Sequence, residues 1–381
     1  MAYSGKSALS AFSAPEGGHM NCHKRLMLIG LFIAAVLVII APVGAQEITP
    51  RVLPFTSIAS GIAISPDTRL VAAWDNGTGI EFAPDAAYLP VHIFDVVSGE
   101  EVAALDVPDY VAAAVFTTGG ERFVALLANG DLIQWNLDDF SEISRTFTGL
   151  GGGIGGMIPT LRPDTVLIRT VSSPNIYLLY RLDDGSFERI ISRRFETYAE
   201  LQALRSESNG FFQLSDAAFA LTPDGSTLVT FSQDGRLNLV NMDTLSRMRF
   251  EPSENTTMPS FPVTDINFTP SGAVVYYQND DEMTYIIDPA NGGVISELPY
   301  GAQAMAVSPD GSQIAYVDRR GGGVFLAPLA ELGEPVQIGT VTGLRVGIIS
   351  QIAFTNDGSQ LIIGGLLAAP PGENAVLIFD L

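Results

Sequence analysis

The sequence predicts an all-β fold: a seven-bladed β-propeller of four-stranded antiparallel blades, closed by an N-terminal strand in the last blade. Three observations predict it. A turn built on Ser/Thr-Pro-Asp-Gly recurs at intervals of 39 to 60 residues. Short strand-like segments flank every copy. The last repeat ends one strand short, and a segment ahead of the first repeat has no other place to go.

The turn is clearest at Ser65-Pro66-Asp67, Thr222-Pro223-Asp224-Gly225, Thr269-Pro270-Ser271-Gly272, Ser308-Pro309-Asp310-Gly311 and Thr355-Asn356-Asp357-Gly358. Degenerate copies stand at Thr117-Thr118-Gly119-Gly120 and Arg162-Pro163-Asp164. Proline presets φ for the second turn position, and Asp-Gly accepts the positive φ of a tight hairpin. Before the turns come segments such as Ile62-Ala63-Ile64, Phe219-Ala220-Leu221, Ile266-Asn267-Phe268 and Ile352-Ala353-Phe354. After them come apolar second strands at 70–74, 123–127, 166–170, 228–231, 274–277, 314–317 and 361–363. Third strands end at Phe94-Asp95, Trp135-Asn136, Tyr180-Arg181, Val240-Asn241, Ile287-Asp288 and Phe379-Asp380, and more polar fourth strands follow in most copies. Four strands joined by three turns make one blade. In the innermost strands large residues alternate with small ones, as expected where blades converge on an axis.

The seventh repeat stops at Leu381 without an outer strand. Residues 46–55 supply it, and Pro50 and Pro54 are compatible with an edge strand. Three stretches depart from the repeat. Residues 75–90 lengthen the first blade, residues 196–208 read as a short helix, and the glycine-rich run 149–156 reads as a flexible connector.

Residues 1–45 form a separate region from the propeller at 46–381. A basic start at Lys24-Arg25, an apolar run from 26 to 40 and the small residues Val43-Gly44-Ala45 predict a secretory signal cleaved after Ala45. Met20 offers an alternative start to Met1. The alternative to cleavage is an uncleaved anchor, since residues 26–45 are long enough to span a bilayer. Either reading places the propeller outside the cytoplasm: secreted, periplasmic or at the cell surface. Beyond residue 45 there are 17 arginines, no lysine and 41 acidic residues, a net charge of −24. Such a body repels phosphate backbones, which argues against nucleic-acid partners. The only cysteine, Cys22, lies in the leader, so the propeller has neither disulfides nor thiol chemistry.

On these turns and third-strand endings, the repeats resemble the WD-repeat and related bacterial propellers, including seven-bladed YVTN/lactonase-type relatives, over residues 46–381. The family's Gly-His pair is absent, and no third strand ends in Trp-Asp; Trp74-Asp75 ends a second strand instead. The resemblance implies a rigid platform for protein or peptide partners.

Catalytic residues and cofactors are not expected. His92 is the only histidine beyond the leader, which removes histidine–cysteine zinc sites and leaves a Ser-His-Asp relay without a nucleophile elbow. The acids at 279–282 lack the ordered spacing of a calcium loop. Glycosylation triplets begin at Asn76, Asn255 and Asn267, the last within an inner strand. Asp216, Asp265, Gln303 and Gln351, which enter the inner strands, are expected near one channel mouth and are the candidate binding residues. The leading expectation is a monomeric, non-enzymatic binding platform. The alternatives are a lactonase-like hydrolase using carboxylates at the channel mouth, and a sensor tethered by residues 26–45.

Overall fold

In the computed structural model the described residues are 47–53, 61–74, 90–150, 154–170, 176–190, 219–231, 237–244, 247–250, 266–278, 283–290, 293–298, 302–318, 321–329, 334–341, 344–367 and 376–381. The leader, the long first-blade connection, the expected helix at 196–208 and the acids at 279–282 lie outside them. Among the described residues there is no helix, and 28 strands form seven four-stranded antiparallel sheets.

A two-residue strand, β1 (Arg51–Val52), precedes the first blade. Blade 1 holds β2 (Gly61–Ile64), β3 (Leu70–Trp74), β4 (Val91–Asp95) and β5 (Glu101–Leu105). Blade 2 holds β6 (Val111–Phe116), β7 (Arg122–Leu127), β8 (Asp131–Asn136) and β9 (Glu142–Phe147). Blade 3 holds β10 (Ile154–Pro159), β11 (Thr165–Thr170), β12 (Ile176–Arg181) and β13 (Phe187–Ile190). Blade 4 holds β14 (Phe219–Leu221), β15 (Thr227–Phe231), β16 (Leu237–Asn241) and β17 (Arg247–Phe250). Blade 5 holds β18 (Ile266–Phe268), β19 (Val274–Gln278), β20 (Met283–Ile287) and β21 (Val294–Leu298). Blade 6 holds β22 (Ala302–Val307), β23 (Gln313–Asp318), β24 (Gly323–Pro328) and β25 (Val336–Thr340). Blade 7 holds β26 (Leu344–Phe354), β27 (Gln360–Leu367) and β28 (Val376–Asp380), and β1 is its outer strand.

Among the described residues the buried apolar side chains gather into seven clusters, one at each junction between neighbouring blades. The two-residue period of a strand dictates this, because successive side chains point to opposite faces. In β7, Phe123, Ala125 and Leu127 join the cluster shared with blade 1. Val124 and Leu126 join the one shared with blade 3. The remaining junctions follow in order: blades 3–4, 4–5, 5–6, 6–7 and finally 7–1. That last cluster, with Val71, Ala73 and Phe94 against Ile362, Val376 and Ile378, closes the ring.

The large–small alternation of the inner strands now has a direction. Ile62, Met305 and Ile352 face back to the preceding blade, whereas Ala63, Ala304 and Ala306 face forward to the next. One expectation needs correcting. Residues 154–156 of the expected connector belong to the inner strand β10, with a register shift between Ile154 and Gly156. Glycine is required there because a Cβ on Gly156, whose φ is 148°, would sit 2.9 Å from the Phe219 ring of blade 4. Gly156 makes room for the first strand of blade 4.

Closure is more extensive than a single added strand. Ile48 donates its N–H to the Ile338 carbonyl of blade 6 at 2.7 Å, β1 pairs with Leu377 and Ile378 of blade 7, and Leu53 is fully buried in the cluster between blades 7 and 1. Arg51 donates to the Val97 carbonyl of blade 1 at 2.7 Å. Residues 47–53 thus form a strap across three blades.

Candidate functional site

Antiparallel order within each blade puts the turns between first and second strands, and between third and fourth strands, on one face of the ring. The Asp turns lie on this face. In each, the first residue's carbonyl accepts the fourth residue's N–H, as in Gly225 to Thr222 at 2.7 Å and Gly311 to Ser308 at 2.8 Å. The fourth position carries positive φ: 65° at Gly225, 71° at Gly311 and 70° at Gly358.

The side chains form a repeated network. Ser308 donates to Asp310 Oδ1 at 2.6 Å and accepts the Gln313 N–H at 2.9 Å. Asp310 Oδ1 accepts the Ser312 N–H and hydroxyl at 2.9 and 2.8 Å. The same pattern joins Thr355, Asp357, Ser359 and Gln360, and again Thr222, Asp224, Ser226 and Thr227. Hydrogen bonds to the ionised form favour it. The Ser308 hydroxyl, then the Ser312 N–H and hydroxyl, therefore hold Asp310 down at about 2. Thr355, then Ser359, does the same to Asp357, also at about 2. Asp224 is lowered chiefly by Thr222. At Asp67, burial pushes upward, but bonds from Ser65 and Arg69 outweigh it and the net shift is downward.

An open groove of about 430 Å³ lies between the turns of blades 6 and 7, lined by Ser308, Asp310, Gln313, Phe354 and Asp357 among others. Its carboxylates are occupied within their own turns. Among the described residues, no three His, Cys, Asp or Glu side chains gather as metal ligands. His92 sits on β4 with Nδ1 3.0 Å from Glu101 Oε2 on β5, a cross-strand pair. Asn267 spends its side-chain amide on the Met305 carbonyl of blade 6 at 2.9 Å, tying two inner strands together.

Of the expected channel-mouth residues, Asp216 and Asp265 lie outside the described residues. Gln303 falls at the register shift between Ala302 and Ala304 on β22, and Gln351 is exposed on β26, paired with Gly364. Their strands are the inner strands of adjacent blades. Sequence reasoning passed over Arg169, 4% exposed on β11, whose guanidinium donates to the Gly155 carbonyl and lies 5.4 Å from the Phe219 ring centroid. Its only signal was a cation within the otherwise apolar second strand of blade 3.

No protein-family model matches this chain, and no curated protein matches it by sequence. Among solved structures, it is similar to the β-propeller domain of Cps50 (Swd1) from Myceliophteria thermophila, with a TM-score of 0.61 over 87% of this chain and 100% of that one. Identity is 12%, so the likeness is one of fold. The chain is a seven-bladed β-propeller with a WD-repeat-type structural neighbour.

Proposed function

We propose that this protein is an exported, non-catalytic propeller that presents a rigid, acidic ring to protein or peptide partners. One observation carries this reading above all: the turn carboxylates Asp224, Asp310 and Asp357 are each tied to hydroxyls and amides of their own turn, which makes them parts of the scaffold. Propellers commonly serve as interaction platforms, although fold alone does not dictate function. The leader-like segment at 20–45 and the lysine-free acidic body support export, and the finer kinship with bacterial propellers belongs to the same proposal.

Two measurements test it. The full-length chain, expressed with its leader and immobilised after purification, is presented with cationic, neutral and anionic peptide pools. Saturable binding that weakens with salt is expected for the cationic pool. Turnover of lactone or ester substrates without peptide binding overturns the platform reading. Mass spectrometry of the native N-terminus addresses export: a start at Gln46 supports it, and an intact leader on a cytoplasmic protein refutes it.

A further inference from the structure

We infer that Asn356 and Thr68 form a dedicated clasp that fastens the seam between the last blade and the first on the turn face, independently of the strap at 47–53. At two junctions the second residue of a turn reaches forward to the glycine of the next blade's turn. Pro270 of blade 5 is the atom group a Cβ on Gly311 of blade 6 would meet, at 2.7 Å. Pro309 of blade 6 stands in the same relation to Gly358 of blade 7, at 3.7 Å, and between blades 3 and 4 it is Leu161, the residue before the Arg162 turn, that meets Gly225, at 2.8 Å. These junctions stack an apolar side chain on a glycine.

At the seam both partners of that contact are replaced. Blade 7 carries Asn356 where blades 1, 4, 5 and 6 carry Pro66, Pro223, Pro270 and Pro309. Blade 1 carries Thr68 where blades 4 to 7 carry glycine. The two replacements meet: the Asn356 N–H donates to Thr68 Oγ1 at 3.1 Å, and its side-chain amide donates to the Pro66 carbonyl. Proline could supply neither donor. Thr68 holds φ at 57°, a left-handed conformation unfavourable for a β-branched residue, yet it keeps the turn bond to Ser65 at 2.8 Å. Its hydroxyl donates to the Asp67 carbonyl at 2.8 Å, which aims a lone pair at Asn356. Backbone strain that persists is strain the surroundings over-determine. Here it puts an acceptor where glycine would have none, and the residues it joins are 288 positions apart.

The test uses the full-length protein and native-state hydrogen exchange. Asn356→Pro keeps a residue the turn accepts elsewhere but deletes both donors. It is expected to speed exchange about tenfold at the Ser65 and Thr355 amides, which close the two seam turns, and to leave the Thr222 amide of blade 4 unchanged. Thr68→Gly relieves the strained φ. With the clasp intact it also removes the acceptor, so it brings no net slowing of exchange in the wild type. In the Asn356→Pro background only the relief remains, and exchange slows by about fivefold. Should Asn356→Pro fail to fold, Asn356→Ala deletes the amide alone and gives a seam-local rise of about threefold. Wild-type exchange in whichever Asn356 variant folds, or an equal effect of Thr68→Gly in both backgrounds, overturns the clasp.

Discussion

Leu53→Ala tests the strap at its deepest point. Leu53 is fully buried between blades 7 and 1, packed among Ile62, Phe94 and Ile378, and its N–H donates to the Val376 carbonyl at 3.0 Å. The substitution removes three carbons, worth about 2.4 kcal/mol at about 0.8 kcal/mol each. A cavity term raises the usual cost of such changes to about 3–5 kcal/mol. The strap is an edge segment whose ladder with β28 is two residues long, so it can settle partly into the gap, which favours the lower end, about 3 kcal/mol. The assay is urea unfolding followed by fluorescence of Trp74 and Trp135, with exchange measured at the strap and β28 amides. A lower midpoint is expected, with earlier exchange at Leu53 and Ile378 than at the blade 2 amides. An unchanged midpoint and unchanged exchange would show that the strap is ornamental and that blades 7 and 1 hold together without it.

Three further outcomes are expected. Asp310 and Asp357 are depressed to about 2 from an ordinary 3.8, so their contribution to stability is complete above about pH 4 and is lost as pH falls toward 2. Melting midpoints recorded from pH 6 to 2 should drop across that window, and less steeply for Asp310→Asn with Asp357→Asn. Gly311→Ala combines a positive φ with a Cβ 2.7 Å from Pro270 and should cost about 2–3 kcal/mol, whereas Gly272→Ala, with φ at 86° but open space, should cost about 1–2 kcal/mol in chemical denaturation. Chelation of divalent ions should leave the melting midpoint of the full chain unchanged, and a fall of several degrees would reveal a metal site that the carboxylates of the described residues do not form.

The ring was legible because its punctuation is chemical. Pro, Asp and Gly occupy the turns for local backbone reasons, and local reasons can be read from a linear sequence. Closure was legible by subtraction, from a repeat one strand short and a segment without a partner. What sequence missed was set by neighbours distant along the chain. Gly156 looked like linker because the approach of Phe219, more than 60 residues on, is invisible locally. Asp310 and Asp357 were read as turn formers, and their full hydrogen-bond sets depended on Ser312 and Ser359, a serine two places on that the turn motif did not include. Asn356 stood in a turn counted among the clearest copies and Thr68 passed without remark, because a contact between residues 288 positions apart leaves no local trace. Among the expected binding residues, the structure places Gln303 and Gln351 on the inner strands of adjacent blades.

Seven separate apolar junctions, in place of one central core, have an evolutionary consequence. Energetics in such an array pass mainly between nearest neighbours, as in other repeat proteins. A substitution buried between blades 2 and 3 has to be accommodated only by those two sheets, so compensating changes can accumulate junction by junction while the rest of the circle stays as it was. Sequence can then drift far before architecture does.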